Sequence, residues 1–361
     1  MSRFDVTVLR SLAQLESLAG EWDVLSAPFG SPLLDHDWFA CAAHAFHRES
    51  DLRVVVLRAQ GRLAAVAPMA VDRSGHLVLI GSSVLHEPSG LLYESPDALR
   101  ELLRTVIQMG HAVMLDRIPE GSLAPELFRP RGLSKAFTIT RRVVGSNSVA
   151  TNLPWNAYCA TLSAPMRRKL AKARINAERE RGPVRFTRIQ PKPEGVGEAL
   201  SQLVAVEASG WKARQGSALS TRPELLRFFK IYSERAAARN RLRVSTLTFD
   251  DTAVAVELGL EAYGRSWQLK VAYDEQFAAF VPGLQLIHAS IGESAAARLD
   301  AFEFLGSAES WQERWRPQQH NYELAAIYPL RPAAMITALH DVTTHFSRRI
   351  QRAVRHQGVD A

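Results

Sequence analysis

The order of the predicted strands and helices constrains the fold most, because one pattern occurs twice along the 361-residue chain. Alternating apolar residues predict strands, and apolar residues three or four apart predict helices. Each half then reads strand, helix, helix, three strands, helix, strand, with little residue identity between the halves. We predict two α/β (α+β) domains, residues 1–150 and 151–330, each with a mixed, mostly antiparallel sheet flanked by helices.

The first domain is predicted to have strands at 4–9, 52–59, 63–71, 76–80 and 112–116, and helices at 11–25, 38–46 and 96–109. The second domain is predicted to have strands at 184–189, 241–249, 253–262, 265–273 and 299–305, and helices at 197–214, 223–239 and 284–297. The order in which these elements follow one another is typical of an α/β protein.

A basic helix is predicted between the domains, over 163–181, with Ser163 as its N-cap and Gly182-Pro183 at its end. Residues 164–190 hold nine basic and two acidic side chains, so this segment carries as much net charge, +7, as the whole chain. The simplest interpretation is a solvated face over a buried stripe formed by Met166, Leu170, Ala173 and Ala177. Binding of an anion or of RNA remains an alternative.

The chain reads as a cytoplasmic protein without a membrane span. Its longest apolar runs are too short to cross a bilayer, and the N-terminus lacks the apolar core of a secretion signal. Two cysteines do not make a disulfide framework. Residues 331–361 are predicted to form an amphipathic docking helix with an apolar stripe of Met335, Leu339, Val342, Phe346 and Ile350.

Three strands of the second domain are predicted to place polar groups on one face of the sheet. Strand alternation sets Val254, Val256, Leu258 and Leu260 against Ala255, Glu257, Gly259 and Glu261. It likewise groups Gln268 with Lys270 and Ala272, and Glu303 with Ala301 and Leu305, opposite Phe302 and Phe304. We interpret this face as a substrate cleft with Glu257, Glu303 and Lys270 as candidate proton-transfer groups. A solvated face is the alternative.

The strand 267–274 is followed by a helix that opens with Pro282-Gly283. A helix start offers N–H groups and a positive dipole end to an anion, so this segment suggests a site for a phosphate-bearing cofactor. No metal is predicted: His44 and His47 stand three apart on a helix, but no third ligand accompanies them. Cys41, among alanines, is predicted to lie in the core.

Several motifs follow one another in the second domain. They are Glu207-Ala-Ser-Gly-Trp-Lys212 with Gly216-Ser-Ala218, then Lys270-Val-Ala-Tyr-Asp274, Pro282-Gly-Leu284 and Phe302-Glu-Phe-Leu-Gly306. This series resembles the GNAT-like acyltransferases of the CelD type, which are associated with bacterial cellulose and exopolysaccharide biosynthesis. The chain departs from that family where Glu303 replaces an Asp and where Trp311-Gln312 replaces a Tyr-Lys pair.

The resemblance implies two tandem GNAT-type domains and acyl transfer from acetyl-CoA or another acyl-CoA. The acceptor would be an amine or hydroxyl of a sugar, a polysaccharide precursor or an envelope metabolite. Glu257 is the first candidate base and Glu303 the second. The implied cofactor-binding residues are Val271, Ala272, Tyr273, Val281, Pro282, Gly283, Leu284 and Gln285. The implied acceptor-binding residues are Glu207, Trp211, Lys212, Lys270 and Asp274.

Two other functions stay open. The resemblance extends to the Fem-type peptidoglycan ligases, which use aminoacyl-tRNA, and the basic helix would then hold the RNA. The third hypothesis is a catalytically silent module that binds a ligand or partner. The sequence leaves the oligomeric state open.

Overall fold

A computed structural model describes residues 3–332, except 124–135 and 210–218, together with residues 334–339 and 341. In these ranges the strands are β1 Asp5–Leu9, β2 Leu52–Ala59, β3 Arg62–Val71, β4 Leu77–Leu79, β5 Leu92–Tyr93, β6 Val113–Pro119, β7 Ala136–Ala150, β8 Val184–Ile189, β9 Leu242–Phe249, β10 Thr252–Ala262, β11 Arg265–Tyr273, β12 Ala301–Leu305 and β13 Gln318–Pro329. The α-helices are α1 Leu12–Glu16, α2 Ala19–Ser26, α3 His36–Phe46, α4 Ser82–Leu85, α5 Pro96–Gln108, α6 Trp155–Thr161, α7 Ala164–Arg181, α8 Val196–Ala208, α9 Pro223–Ala238 and α10 Pro282–Ala296.

The strands form one continuous, mostly antiparallel sheet. Its order is β1-β2-β3-β4-β6-β13-β7-β12-β11-β10-β9-β8, with β5 paired to β3 outside this path. Only the pairs β4–β6 and β11–β12 are parallel among the described strands. Helices cover both faces, and the predicted order of elements is present in each half, so the predicted fold class is confirmed.

Two long strands, β7 and β13, were not predicted from the sequence, and they join the two halves. β13 is the last of the described strands along the chain, yet it lies between β6 and β7 and pairs antiparallel with both. β7 in turn pairs with β12 of the second half. The sheet is therefore continuous across residue 150, and the division into two domains there remains a proposal.

The largest apolar cluster packs helices of both halves on one face of the sheet. Trp38 of α3 lies against the rings of Phe228 and Tyr232 of α9, with ring centroids 5.1 Å apart in both pairs. Strand β10 adds Val256 and Leu258 to the same cluster, and helix α8 adds Leu203. Helices α7 and α10 cover the other face of β9–β11, where Leu286 and Ala177 are fully buried.

A network of ion pairs joins the end of α9 to α1 and to the start of α3. Arg235 of α9 donates to Glu16 over 2.6 Å and 3.1 Å and to Asp37 over 3.3 Å. Arg239 lies 2.7 Å from Asp37, and Arg241 lies 2.6 Å from Asp35. These pairs attach the end of α9 to the N-terminal half.

Two β-bulges change the predicted faces of β10 and β11. The first bulge lies near Val254, in the pairing with β9. Val254 therefore shares the apolar cluster under α10 with Ala255, whereas it was predicted to share a face with Val256. The second lies where Leu258 pairs with Lys270 and Gly259 with Gln268, which leaves Leu269 as the extra residue. Lys270 is thereby moved to the face opposite Gln268, and the prediction that Lys270 shares a face with Glu257 is wrong.

The basic helix is confirmed as α7. The Ser163 hydroxyl accepts the N–H of Met166, and Gly182 ends the helix at φ +90°. Its buried residues are the predicted stripe, Met166, Leu170, Ala173 and Ala177. The helix predicted over 197–214 ends at Ala208, and residues 210–218 lie outside the described residues, as does most of the predicted helix over 331–361. In the described ranges no helix is long and apolar enough to span a bilayer.

Candidate functional site

The parallel strands β11 and β12 separate partway along their length. They pair only over Arg265–Trp267 and Ala301–Glu303. Beyond that point β11 stays paired with β10 as far as Tyr273, while β12 stays paired with β7. A gap therefore opens in the sheet between β12 and the part of β11 that follows Trp267.

A cavity of about 540 Å³ occupies the end of this gap. We call it the β11 cavity; it is lined by Lys169, Glu207, Val271, Ala272, Tyr273, Ala278, Val281, Gly283, Leu284, Ile287, Glu309, Trp311 and Arg314. Glu207 comes from α8 on one face of the sheet, whereas Leu284 and Ile287 come from α10 on the other. The cavity therefore passes through the gap from face to face.

The start of α10 forms one wall of the β11 cavity. Val281 takes the left-handed conformation (φ +45°) and turns the chain into Pro282-Gly283, with no side chain capping the helix. A Cβ at Gly283 would lie 3.1 Å from the Tyr273 ring, so glycine lets the helix approach β11 closely. Buried Gln285 donates to the Phe280 carbonyl over 2.9 Å. Six of the eight predicted cofactor-binding residues line the cavity; Pro282 and Gln285 lie buried beside it.

The predicted acceptor-binding residues do not gather in one place. Glu207 lines the β11 cavity, and its Oε2 accepts the Leu219 N–H over 2.7 Å. Asp274 caps the short 3-10 helix 275–280 by accepting the Gln276 N–H over 2.9 Å. Lys270 lies on the other face of the sheet, with Nζ 5.4 Å from the Phe229 ring centroid. Trp211 and Lys212 lie outside the described residues.

Glu257 is buried beneath α10 and only 3% exposed. Gln268 donates to its Oε2 over 2.8 Å. Burial raises the pKa of Glu257, and Gln268, the Arg188 charge and the Ser290 and Ser245 hydroxyls offset part of that rise. The carboxyl group thus lies within a closed polar cluster between the sheet and α10.

Glu303 lies on the opposite face of the sheet from Glu257. It is 2.5 Å from Arg265 and 2.9 Å from His320. It lines a wide cleft of about 890 Å³ between the two halves, together with Trp267, Asp300 and other residues. The three candidate proton-transfer groups are therefore separated, whereas the sequence predicted one common cleft.

One carboxylate near the gap was not predicted from the sequence. Glu87, in the loop after α4, accepts the Gly306 N–H on Oε2 over 2.7 Å, directly after β12 ends. Lys169 and Arg314 were also missed as lining residues of the β11 cavity, although Lys169 stands in the basic helix that the sequence singled out. Gln312 is buried and accepts from Asn147 over 2.7 Å, so it has a structural role of its own.

The remaining candidates have structural partners. His44 lies 3.0 Å from Glu16, and His47 accepts the Gly81 N–H over 3.2 Å, so the two histidines serve different contacts. Cys41 is fully buried, as predicted, and burial raises the pKa of its thiol to about 12. Among the described residues, no three His, Cys, Asp or Glu side chains are grouped to hold a metal ion.

Comparison with known proteins identifies the fold. Residues 164–313 match the family model for the acetyltransferase (GNAT) domain. The structure of FemX is similar at a TM-score of 0.58 with 11% identity, over 89% of this chain and 96% of FemX. L-PGS from Bacillus licheniformis is similar at a TM-score of 0.56 with 14% identity, over 94% of this chain and 97% of L-PGS. No curated protein sequence matched. The chain therefore has a GNAT-like mixed α/β fold, with a GNAT acetyltransferase domain match over 164–313.

Proposed function

We propose that the protein is an acyltransferase that takes an acyl group from acetyl-CoA or a related acyl-CoA. The observation that carries this proposal is the gap between β11 and β12, with the start of α10 at its end. We expect an extended amide chain to lie along β11 in this gap, in the way that an added strand lies along the edge of a sheet. Pantetheine is such a chain.

The lining of the β11 cavity suits a thioester with a charged tail. Val271, Leu284 and Ile287 give apolar contacts for the pantetheine arm. Lys169 and Arg314 bring positive charge to the same cavity, whereas its two carboxylates, Glu207 and Glu309, accept hydrogen bonds from Leu219 and Trp311; the first turn of α10 adds its dipole. These groups are the ones we expect to hold the phosphates.

The reaction would be direct attack of an acceptor amine or hydroxyl on the thioester carbonyl. Backbone N–H groups of β11 around Lys270–Tyr273 would stabilise the negative charge that develops on the carbonyl oxygen. We propose that Glu257 positions β11 through Gln268, since its carboxyl group is buried and hydrogen-bonded there. Membership of the CelD type, a role in cellulose or exopolysaccharide synthesis and a cytoplasmic location stay predictions from the sequence.

A Fem-type transferase that uses aminoacyl-tRNA is the second candidate. The observation in its favour is the exposed basic face of α7, including Arg167, Arg168 and Lys172. Binding of a phosphate backbone depends on the number of cations, with little regard to which ones they are. Binding of acyl-CoA in the β11 cavity depends on Lys169 and Arg314 in particular. A silent binding module would show neither transfer activity nor CoA binding.

Calorimetric titration with acetyl-CoA tests the proposal, with ATP as the control ligand. The double variant Lys169→Ala/Arg314→Ala is expected to weaken acetyl-CoA binding at least ~10-fold, since each charged hydrogen bond contributes about 1.5–3 kcal/mol when shielded. The matched control is Lys172→Ala/Arg316→Ala, which removes the same charge from exposed positions nearby.

The two double variants also separate the candidates. Weaker acetyl-CoA binding in Lys169→Ala/Arg314→Ala, with unchanged binding in the control variant, would support the proposal that the protein uses acyl-CoA. Equal losses of charged-tRNA binding in both variants, with no acetyl-CoA binding by the unmodified protein, would favour the Fem-type reading. If the unmodified protein bound neither acetyl-CoA nor charged tRNA, the hypothesis of a catalytically silent binding module would remain.

A further inference from the structure

A second cavity lies beside the β11 cavity, on the face of the sheet that α3 and α9 cover. Val271 lines the first cavity and Lys270 the second, because neighbouring residues of a strand point to opposite faces. The second cavity, of about 290 Å³, lies between α3, α9, the loop after α4 and β11. We call it the Lys270 cavity; its lining includes Trp38, Leu85, Glu87, Arg222, Phe229 and Lys270. Its walls therefore come from both halves of the chain.

Glu87 is held at the mouth of the gap by the end of β12. The Gly306 N–H donates to its Oε2, and Leu305 and Gly306 both take positive φ, +54° and +56°. Buried Arg117 fixes the same turn by donating to the Ser307 hydroxyl and the Val144 carbonyl. A non-glycine residue at φ +54° is costly, so the turn that presents its N–H to Glu87 is built at the expense of backbone strain.

The electrostatic surroundings of Glu87 suit proton transfer. Burial raises its pKa, while the Gly306 N–H and the charges of Arg117 and Lys270 offset part of that rise. A carboxylate whose pKa is raised toward neutral pH is a stronger base than an ordinary glutamate.

The Lys270 cavity carries opposite charges on an apolar background. Glu87 supplies a negative charge, whereas Lys270 and Arg222 supply positive charges. Trp38, Leu225 and Phe229 supply apolar and aromatic surface. A small molecule with an amino group, a carboxylate and an apolar side chain matches all three kinds of surface.

We propose that the Lys270 cavity is the acceptor site, that it takes a free amino acid with an apolar side chain, and that Glu87 of the N-terminal half is a catalytic base. This inference rests on the proposed acyl-CoA function, because the gap between β11 and β12 must deliver the thioester to this face. It also gives the N-terminal half a direct part in the reaction.

In the reaction the ammonium group of the amino acid first loses a proton to water, and the neutral amino nitrogen then attacks the thioester carbonyl carbon, forming the C–N bond of an N-acyl amino acid. The C–S bond breaks, and CoA leaves as the thiolate. The second proton lost by the nitrogen goes to Glu87, which passes it to the thiolate to give free CoA and the carboxylate again.

The test measures transfer from radiolabelled acetyl-CoA to each standard amino acid, with phenethylamine and glucosamine as comparison acceptors. We expect transfer to one or more apolar amino acids and much less to either comparison acceptor. Glu87→Gln keeps an oxygen for the Gly306 N–H but cannot take a proton. We expect it to lower kcat at least ~100-fold, to leave an acidic limb of the pH profile that is set by the ammonium group of the acceptor alone, and to leave the Kd for acetyl-CoA unchanged.

The control is Glu101→Gln, on α5, where the carboxylate pairs with Arg104 away from the cavity. It should match the unmodified protein in every measurement. Acetyl-CoA binding without transfer to any amino acid, or full kcat in Glu87→Gln, would overturn this inference and leave the proposed function standing. A protein that binds no acetyl-CoA would overturn both.

Discussion

Replacement of Arg235 by methionine tests whether the ion pairs between α9 and the N-terminal half stabilise the fold. Methionine keeps most of the aliphatic volume and removes the guanidinium, so packing in the α3–α9 interface is little changed. The side chains of Arg235 and Glu16 are 28% and 32% exposed, and that of Asp37 is 11% exposed. The contacts are thus neither fully buried nor fully solvated.

The expected loss follows from the number and exposure of these contacts. A shielded hydrogen bond between charged groups contributes about 1.5–3 kcal/mol, whereas an exposed ion pair contributes about 1 kcal/mol or less. Asp37 keeps Arg239 at 2.7 Å, so most of the loss comes from Glu16. We expect the free energy of unfolding to fall by about 2 kcal/mol near neutral pH.

The pH dependence has a definite sign. Burial would raise the pKa of Glu16, but Arg235 and His44 overcome it, and the pKa is lowered. Burial would also raise the pKa of Asp37, but His36, Arg239 and Arg235 outweigh burial, and this pKa is lowered as well. A carboxyl group whose pKa is lower in the folded protein stabilises the fold at pH values above its pKa in the unfolded chain, which is about 4. This stabilisation is lost as the pH falls through the pKa of the folded protein.

Urea titration of both proteins, near neutral pH and at about pH 3, measures the difference. The variant should lie well below the unmodified protein at neutral pH and approach it in acid. Arg227→Met, on an exposed position of the same helix, is the control and should have little effect. An equal loss at both pH values, or a loss no larger than that of the control, would refute the reasoning.

Four further substitutions probe single features. Gly259→Ala would put a Cβ 2.9 Å from the Trp267 carbonyl oxygen, so urea titration should show a loss of about 1–3 kcal/mol. Gly197→Ala, with nothing within 4 Å in helix α8, should instead gain up to about 1 kcal/mol, and equal effects would contradict the packing argument. Ser163→Ala should cost about 1 kcal/mol through loss of the N-cap of α7, seen as a lower urea midpoint; an unchanged midpoint would disprove the cap's contribution. Glu257→Gln tests the effect of this buried carboxyl group on stability. The free energy of unfolding of the unmodified protein, measured relative to that of the variant, should fall as the pH rises through the raised pKa of Glu257, because burial penalises only the charged carboxylate. The kcat of the variant should persist, and a loss of about 100-fold would instead restore Glu257 as the base.

The predictable part of the fold was the part encoded by local periodicity. The order of elements in each half, the cap and buried stripe of α7, and the start of α10 were all read from neighbouring residues. β7 was missed because Arg141-Arg142 and Gly145 break its alternation, and β13 because a strand inserted between distant partners leaves no local signal. The faces of β10 and β11 went wrong at bulges, since one extra residue reverses the alternation that follows.

The same distinction holds at the candidate site. Six of the predicted cofactor-binding residues line the β11 cavity because they belong to two short segments that adjoin in the fold. Glu87 could not be found in this way, because it comes from the other half of the chain and meets Gly306 only through the tertiary structure. Its only local signal is the His86-Glu87-Pro88 loop that follows α4.

The place of β13 in the sheet has a consequence for synthesis on the ribosome. β6 and β7 are made before β8–β12, but the strand that lies between them is made after those five strands. Until Gln318–Pro329 emerges, both strands present unpaired edges of the kind that pair with other chains. The N-terminal half is therefore expected to complete its sheet only after most of the second half exists, and a fragment that stops at residue 150 is expected to aggregate.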